Sequence, residues 1–525
     1  MTKLARALSL SASVAALALA AGAAQAETVR WARVADALTL DPHSQNEGPT
    51  LALLRHVYGT LVSRAVDGSL TPDLATSWEI HPEDPTIWVL HLREGVTFHD
   101  GSAFTAEDVV FSYERVLHES SGFRAIHADV VGAEAVDEYT VHVQMSGPSP
   151  LYPNNLTNFF IVDKTWAEAN DVVAPQNYAA GEENFAVRNT NGTGPYQLVS
   201  RDPEVRTVLS VFDGYYGDAP QVTEVIYQPI AEAATRIAAL LSGEVDFVQD
   251  VPVQDIARLE QTDGIAITTG PENRNIFFAY NATSPTLRST NVADNPFSHP
   301  EIREAMALAL DRDAIRQVVM RGQSQPSAAP LPPFVNGWTE EMNAYGAPDY
   351  ERAAELVRSV YPDGFSVQLD CPNDRYLNDE AICQATVGML GRIGINVSLN
   401  SQTRSLHFPL IENLETDFYL LGWGVPTFDS AYVFNFLVHT REGSYGAYNG
   451  GQYSNPEVDA MIEEIATMTD LDERNATIGR IWDRVMEDRV FLNVHNQLLA
   501  YAVREGINID VHPENSPTLW TVTID

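Results

Sequence analysis

Residues 222–248 read VTEVIYQPIAEAATRIAALLSGEVDFV, and they set the class of fold. Val222–Gln228 is β-branched and apolar enough for a strand, and Pro229 ends it because it has no amide hydrogen to give a ladder. Ala231–Ser242 is rich in Ala and Leu and reads as a helix, with Gly243 as its C-terminal cap. Val245–Val248 reads as the next strand. Strand, helix, strand is the unit of an α/β layer. A second unit runs from Phe365–Leu369, through a helix over about Asn378–Leu390, to Ile395–Leu399. The 525-residue chain exceeds what one core supports, so two or three domains are expected. Strands and helices mix throughout without a Gly/Ser linker, which points to domains that exchange segments.

Further helices show one apolar face. From Pro300 to Leu310 the apolar positions are Ile302, Ala305, Met306, Ala309 and Leu310, a 3.6-residue period. Ser298 and Glu301 are placed to form a capping box. Val458, Met461, Ile462, Ile465 and Ala466 repeat the spacing. These stripes are core. Lys3 and Arg6 precede an uncharged Ala-rich run over Ala7–Ala23, and Ala24-Gln25-Ala26 gives the small-x-small pattern of a cleavage site. Residues 1–26 are therefore expected to be a signal peptide that leaves the protein free in the periplasm. The chain carries 71 acidic and 32 basic residues, a net charge of −39. Such a surface repels nucleic acid and anionic lipid. The two cysteines, Cys371 and Cys383, lie too far apart for a CxxC pair and have no His cluster beside them. In an oxidising compartment the expectation is a structural disulfide.

Recurring reaction chemistry is missing from the sequence. No Walker loop, GxSxG elbow, HExxH or GxGxxG is present, so an ATPase working with this chain would be another polypeptide. His99-Asp100 is adjacent in sequence, yet Phe98-His99-Asp100-Gly101 reads as a strand end entering an Asp-Gly turn. No cofactor and no metal site is expected.

Residues 92–112, LREGVTFHDGSAFTAEDVVFS, supply the strongest likeness. Physically they are a strand end, a turn at Asp100-Gly101 and a helix that Thr105 caps. The run closely resembles the signature of family 5 extracellular solute-binding proteins, the dipeptide, oligopeptide and nickel receptors of ABC importers. Gly192-Thr193-Gly194-Pro195-Tyr196, Leu240–Asp246, Ala279-Tyr280-Asn281, His299–Ala305, Asp311–Ile315 and Tyr453–Asp459 follow in the family's order. The resemblance implies an α/β fold of the type II periplasmic binding protein kind: two lobes, hinge strands and an extra subdomain in the first lobe. It places lobe I at residues 27–281 and 494–525, with an inserted subdomain at about 62–180, and lobe II at 282–493. The crossings are expected near Tyr280-Asn281 and Val494-His495.

The resemblance also implies a site. In peptide-binding members a Trp-containing loop of the second lobe carries an Asp that pairs with the ligand's α-ammonium. Here that loop is Gly422–Ser430, with Trp423 and Asp429 matched and Pro426 where the amine-binding Asp would fall. Pro426 offers neither charge nor amide hydrogen, which counts against an ordinary dipeptide: either Asp429 takes over the role or the ligand lacks a free α-amine. Core packing is the other reading of Trp423. Arg375 stands where dipeptide receptors hold an Arg for the ligand carboxylate, a role that suits the fork of a guanidinium. A local ion pair to Asp374 or Asp379 is the alternative. Asn46, Glu47 and Thr50 are candidates for the facing wall in lobe I. The expectation is a monomeric, non-enzymatic receptor that captures a peptide or similar solute and delivers it to permease subunits. The alternatives are a non-peptide ligand (metal chelate, opine or sugar derivative) and a periplasmic enzyme.

Overall fold

A computed structural model describes residues 27–443 and 445–525; the expected signal peptide, 1–26, lies outside the described residues. One mixed sheet of eleven strands runs through the molecule. Its order is Ile395–Gln402, Phe365–Pro372, Phe418–Trp423, Ile265–Tyr280, Phe491–Arg504, Phe247–Val248, Glu27–Arg33, Val222–Pro229, Arg206–Val211, Tyr196–Asp202, and Ser324–Pro326 also pairs with Phe491–Arg504. Both strand-helix-strand units form. In the first, Glu232 caps the helix Ala233–Ser242 through Thr235 N, and Gly243 closes it at φ +76°. The strand that follows is shorter than expected, only Phe247–Val248. In the second, the helix is Asp379–Gly391, between parallel strands.

The crossing strand Ile265–Tyr280 and the return strand Phe491–Arg504 pair antiparallel at both ends. Pairing is regular from Ile265 opposite Arg504 to Pro271 opposite Leu498, breaks, and resumes at Asn275 opposite Asn496. Pro271 has no amide hydrogen for the ladder, and Glu272-Asn273-Arg274 fill the break. Separate cores lie on either side of it. Beyond the break, Ile276, Phe278 and Tyr280 bury one face against Ile302, Met306, Leu369 and Ile382. Phe277 and Ala279 bury the other against Phe434, Ile478 and Trp482. Before the break, Tyr501 and Val503 pack with Trp31, Tyr227 and Phe247, while Ala500 and Ala502 pack with Ala32, Val248 and Ile237. Period-two burial of both faces is what a strand covered by helices on each side requires. These are two α/β lobes sharing a sheet.

A further four-stranded antiparallel sheet, Ala75–Ile80, Ile87–Leu92, Thr140–Met145 and Val130–Asp137, has its own core around Leu90, Phe98, Phe104, Tyr113 and Phe159. The Asp100-Gly101 turn forms, with Gly101 at φ +90°. Asp108 accepts from Thr105 N at 2.9 Å and closes the helix start. His99 proves structural: Nε2 bonds to Gly194 O at 3.1 Å, which ties the signature run to the Gly-Thr-Gly-Pro-Tyr turn. Burial pushes its pKa down to about 4. Gly194 must be glycine, because a Cβ there would meet the Val57 backbone at 2.6 Å. The capping box expected at Ser298 and Glu301 does not form. His299 occupies the N-cap, and Ser298 Oγ donates to Asn295 O at 2.7 Å because Asn295 already starts a short 3₁₀ turn there. Among the described residues no helix is long and apolar enough to cross a membrane.

Candidate ligand-binding site

The strand Phe418–Trp423 lies beside the crossing strand, and its C-terminal loop is clamped to the break in that strand. Asn273 Nδ2 donates to Val425 O at 2.8 Å and Val425 N donates to Asn273 Oδ1 at 3.1 Å. Strand end and loop thereby fix Trp423. Its indole packs with Tyr432, Phe436 and Tyr448 at ring separations of 5.7, 5.9 and 5.2 Å. Trp423 is half-buried among these aromatics and lines a cavity. Its Nε1 is buried with no acceptor among the described residues, and a buried donor left unmatched costs roughly 1–3 kcal/mol.

That cavity is about 340 Å³ and is lined by Arg274, Arg375, Tyr376, Phe408, Leu421, Gly422, Trp423, Gly424, Tyr432 and Tyr448. Size, aromatic walls and a few convergent polar groups are what small-solute sites combine. Arg375 is positioned by the segment after strand Phe365–Pro372. Asp379 accepts from the Arg375 and Tyr376 amides at 2.9 and 3.0 Å. The Cys371–Cys383 disulfide joins the strand to the following helix across this segment. The local ion pair to Asp374 or Asp379 does not form: among the described residues the Arg375 guanidinium meets no carboxylate, and Asp374 accepts from the Arg404 amide at 2.6 Å. The guanidinium instead lies 4.9 Å from the Tyr376 ring centre. Burial, and then the positive charge of Arg274, push its pKa below the usual arginine value. Gly422 lets Tyr376 approach, because a Cβ there would lie 2.5 Å from the ring. The Tyr376 hydroxyl donates to Gly422 O at 3.1 Å.

The structure brings Arg375 and Trp423 to one cavity and places the other candidates elsewhere. Asp429 is buried and fully engaged. Arg474 reaches both carboxylate oxygens at 2.8 Å, Asn336 donates at 2.8 Å, and the Ala431 amide at 2.9 Å. Pro426 is exposed. Glu47 caps the helix Gly48–Leu54, accepting from Thr50 N at 2.7 Å. The Thr50 hydroxyl donates to Glu47 and accepts from Leu38 N at 2.9 Å. Asn46 is exposed beside them. Arg274, Tyr376, Phe408, Tyr432 and Tyr448 escaped the reading of the sequence. The one available signal for Arg274 was Gly270-Pro271, a break inside an otherwise apolar strand. Among the described residues no group of three or more His, Cys, Asp or Glu is placed to hold a metal ion.

Two lobes on shared strands, with a donor-rich aromatic cavity beside the break in the crossing strand, are the architecture of a solute-binding receptor. Residues 69–445 match the model of bacterial extracellular solute-binding proteins, family 5 (middle region), and the chain belongs to that family. Its members are the solute-binding components of ABC importers. The glutathione-binding protein GsiB of Pectobacterium atrosepticum is 25% identical over 474 residues, 88% of this chain and 87% of that protein. Among solved structures, HbpA2 from Haemophilus parasuis aligns with a TM-score of 0.81 at 19% identity, covering 95% of this chain and 100% of that one. AgaA of A. tumefaciens R10, in complex with agropinic acid, aligns at 0.69 with 24% identity, covering 95% and 99%.

Proposed function

We propose that this chain is the periplasmic receptor of an ABC importer, that it takes a peptide or peptide-like solute bearing a carboxylate, and that it catalyses no reaction. The observation that carries this reading is the pair of unmatched donors in one cavity, the Arg375 guanidinium and the Trp423 indole NH. A guanidinium fork binds a carboxylate through two parallel hydrogen bonds, and an aromatic wall takes up the apolar stem of a solute. The break at Pro271–Asn275, opposite Asn496–Leu498, supports a hinge there, a few residues before the crossing expected at Asn281. On this reading lobe I is continuous with residues 27–270 and the end of the chain, and the inserted subdomain keeps its limits of about 62–180. Ligand that touches both lobes stabilises the closed arrangement, which the permease subunits then engage.

A second reading, an opine or another solute without a free α-amine, is favoured by one observation. Among the described residues no acid lines the cavity, Pro426 carries no charge, and Asp429 is consumed by Arg474. An α-ammonium held there would lack its carboxylate partner. The relatives named above bind glutathione and agropinic acid by their descriptions, so both ligand classes lie within reach of the fold. A thermal-shift panel of dipeptides, N-acetyl dipeptides, opines and metal chelates separates the two. The expected result is a raised melting temperature with a carboxylate-bearing solute, lost in Arg375→Ala, and the solute recovered unchanged by mass spectrometry. Turnover of the solute, or a shift that ignores Arg375→Ala, contradicts it.

A further inference from the structure

We infer that the solute carries two acidic groups, one for Arg375 and a second for Arg274; this rests on reading the Trp423 cavity as the solute site. The ten described residues that line the cavity include two arginines and no acid, in a chain with 71 acidic and 32 basic residues. Both guanidinia lie against one ring, with Arg274 at 5.9 Å and Arg375 at 4.9 Å from the Tyr376 centroid. They are close enough for the charge of Arg274 to oppose that of Arg375. Two like charges in a half-buried cavity are an unfavourable arrangement that anions relieve.

Arg274 is only partly satisfied. Its Nε donates to Glu272 Oε1 at 2.9 Å, and its two terminal nitrogens have no acceptor among the described residues. A guanidinium has five donor hydrogens on more than one edge, so the Glu272 bond leaves an edge for a ligand carboxylate. Glu272 pairs with Arg274 and also favours the charge of Arg375, but less than Arg274 opposes it, and Arg404 opposes it further. Glu412 hydrogen-bonds with Tyr448 and is not among the charges acting on either arginine. The other oxygen of Glu272 accepts from Gln497, on the return strand. Arg274 therefore belongs to the crossing strand and is joined through one carboxylate to the other hinge strand. A second acidic group on Arg274 engages the hinge directly, which the Arg375 contact alone does not do.

The test is calorimetry with two matched probes, N-acetyl-Ala-Glu and N-acetyl-Ala-Gln. They share the terminal carboxylate and lack an amine, and they differ by one side-chain acid. The wild type is expected to prefer the diacid by at least about tenfold, the scale of one charge-assisted hydrogen bond. Arg274→Gln should bring that ratio to within about twofold. Arg274→Lys, which keeps the charge and loses the fork, should fall between, and circular dichroism melts verify that each variant folds. Equal binding of the two probes by the wild type overturns the second acid and leaves the solute site standing. A preference that survives Arg274→Gln overturns it as well. Failure of both probes to bind overturns it together with the reading of the cavity.

Discussion

At the scale of single residues, motif and neighbourhood disagree most at Asp429. Matched to the family loop it looked like a ligand group, but in the fold it is the buried counter-ion of Arg474, with side chains 4% and 1% exposed. Removing one partner of such a pair strands the other charge, so Asp429→Asn or Arg474→Met should lower unfolding free energy by about 3–5 kcal/mol. Urea titration followed by circular dichroism reads this directly. Arg474, 45 residues along the chain, could not be paired with Asp429 from sequence, because nothing local links two helices that meet only in the core. Trp423 and Arg375 came from the family resemblance, and the fold sets both on one cavity. The buried histidines give a second prediction. His127 is enclosed by Tyr113, Tyr152 and Phe159, and burial lowers its pKa to about 3; His43 and His495 are likewise held at about 3. Each ring is neutral in the native chain and takes a proton on unfolding once the pH falls below about 6.5. The unfolded state then binds more protons, so stability is full above about pH 6.5 and is lost as pH falls toward about 3. Each ring contributes up to about 2.5 kcal/mol of loss between pH 7 and 4.5. His127→Leu should flatten this fall in urea midpoints, and an unchanged slope would show that the ring is not buried neutral.

At the scale of elements, capping and period were the most readable signals. Gly243, Thr105 and the apolar face of Pro300–Ala309 all sit where their chemistry puts them. The failed box at Ser298 shows the limit: Ser298 serves a turn that begins at Asn295 instead, and its hydroxyl bonds within that turn. The disulfide joins the end of a strand to the helix Asp379–Gly391 and closes a short loop around Arg375. Thiol titration of the denatured, unreduced protein should find none free. Replacing both cysteines by serine should lower stability by about 3 kcal/mol. Gly422 is the other structural point in this wall. Gly422→Ala drives a methyl into Tyr376 and Ile276, at 2.5 and 2.7 Å, and overpacking of this kind costs about 1–3 kcal/mol. Because Tyr376 carries both arginines, the same change should weaken solute binding in calorimetry. Binding as tight as wild type would mean that Tyr376 does not shape the site.

At the scale of the whole molecule, the two lobes were legible as a class because a long family signature and two α/β units agree. The break in the crossing strand was less so. A run such as Ile276–Tyr280 announces a strand, but where its pairing slips depends on which residues oppose it, and those come from the other end of the chain. Arg274 stayed hidden for that reason: it is one cation in an irregular stretch, and only the fold sets it beside Arg375 and Trp423. On the function proposed above, this cavity holds the solute that an importer receptor delivers. Native mass spectrometry of protein isolated gently from cells is the direct test, with Arg375→Ala as the comparison. One small acidic solute should be bound to the wild type and missing from the folded variant. A wild type that carries no solute under any isolation, or the same solute held equally by Arg375→Ala, would contradict it.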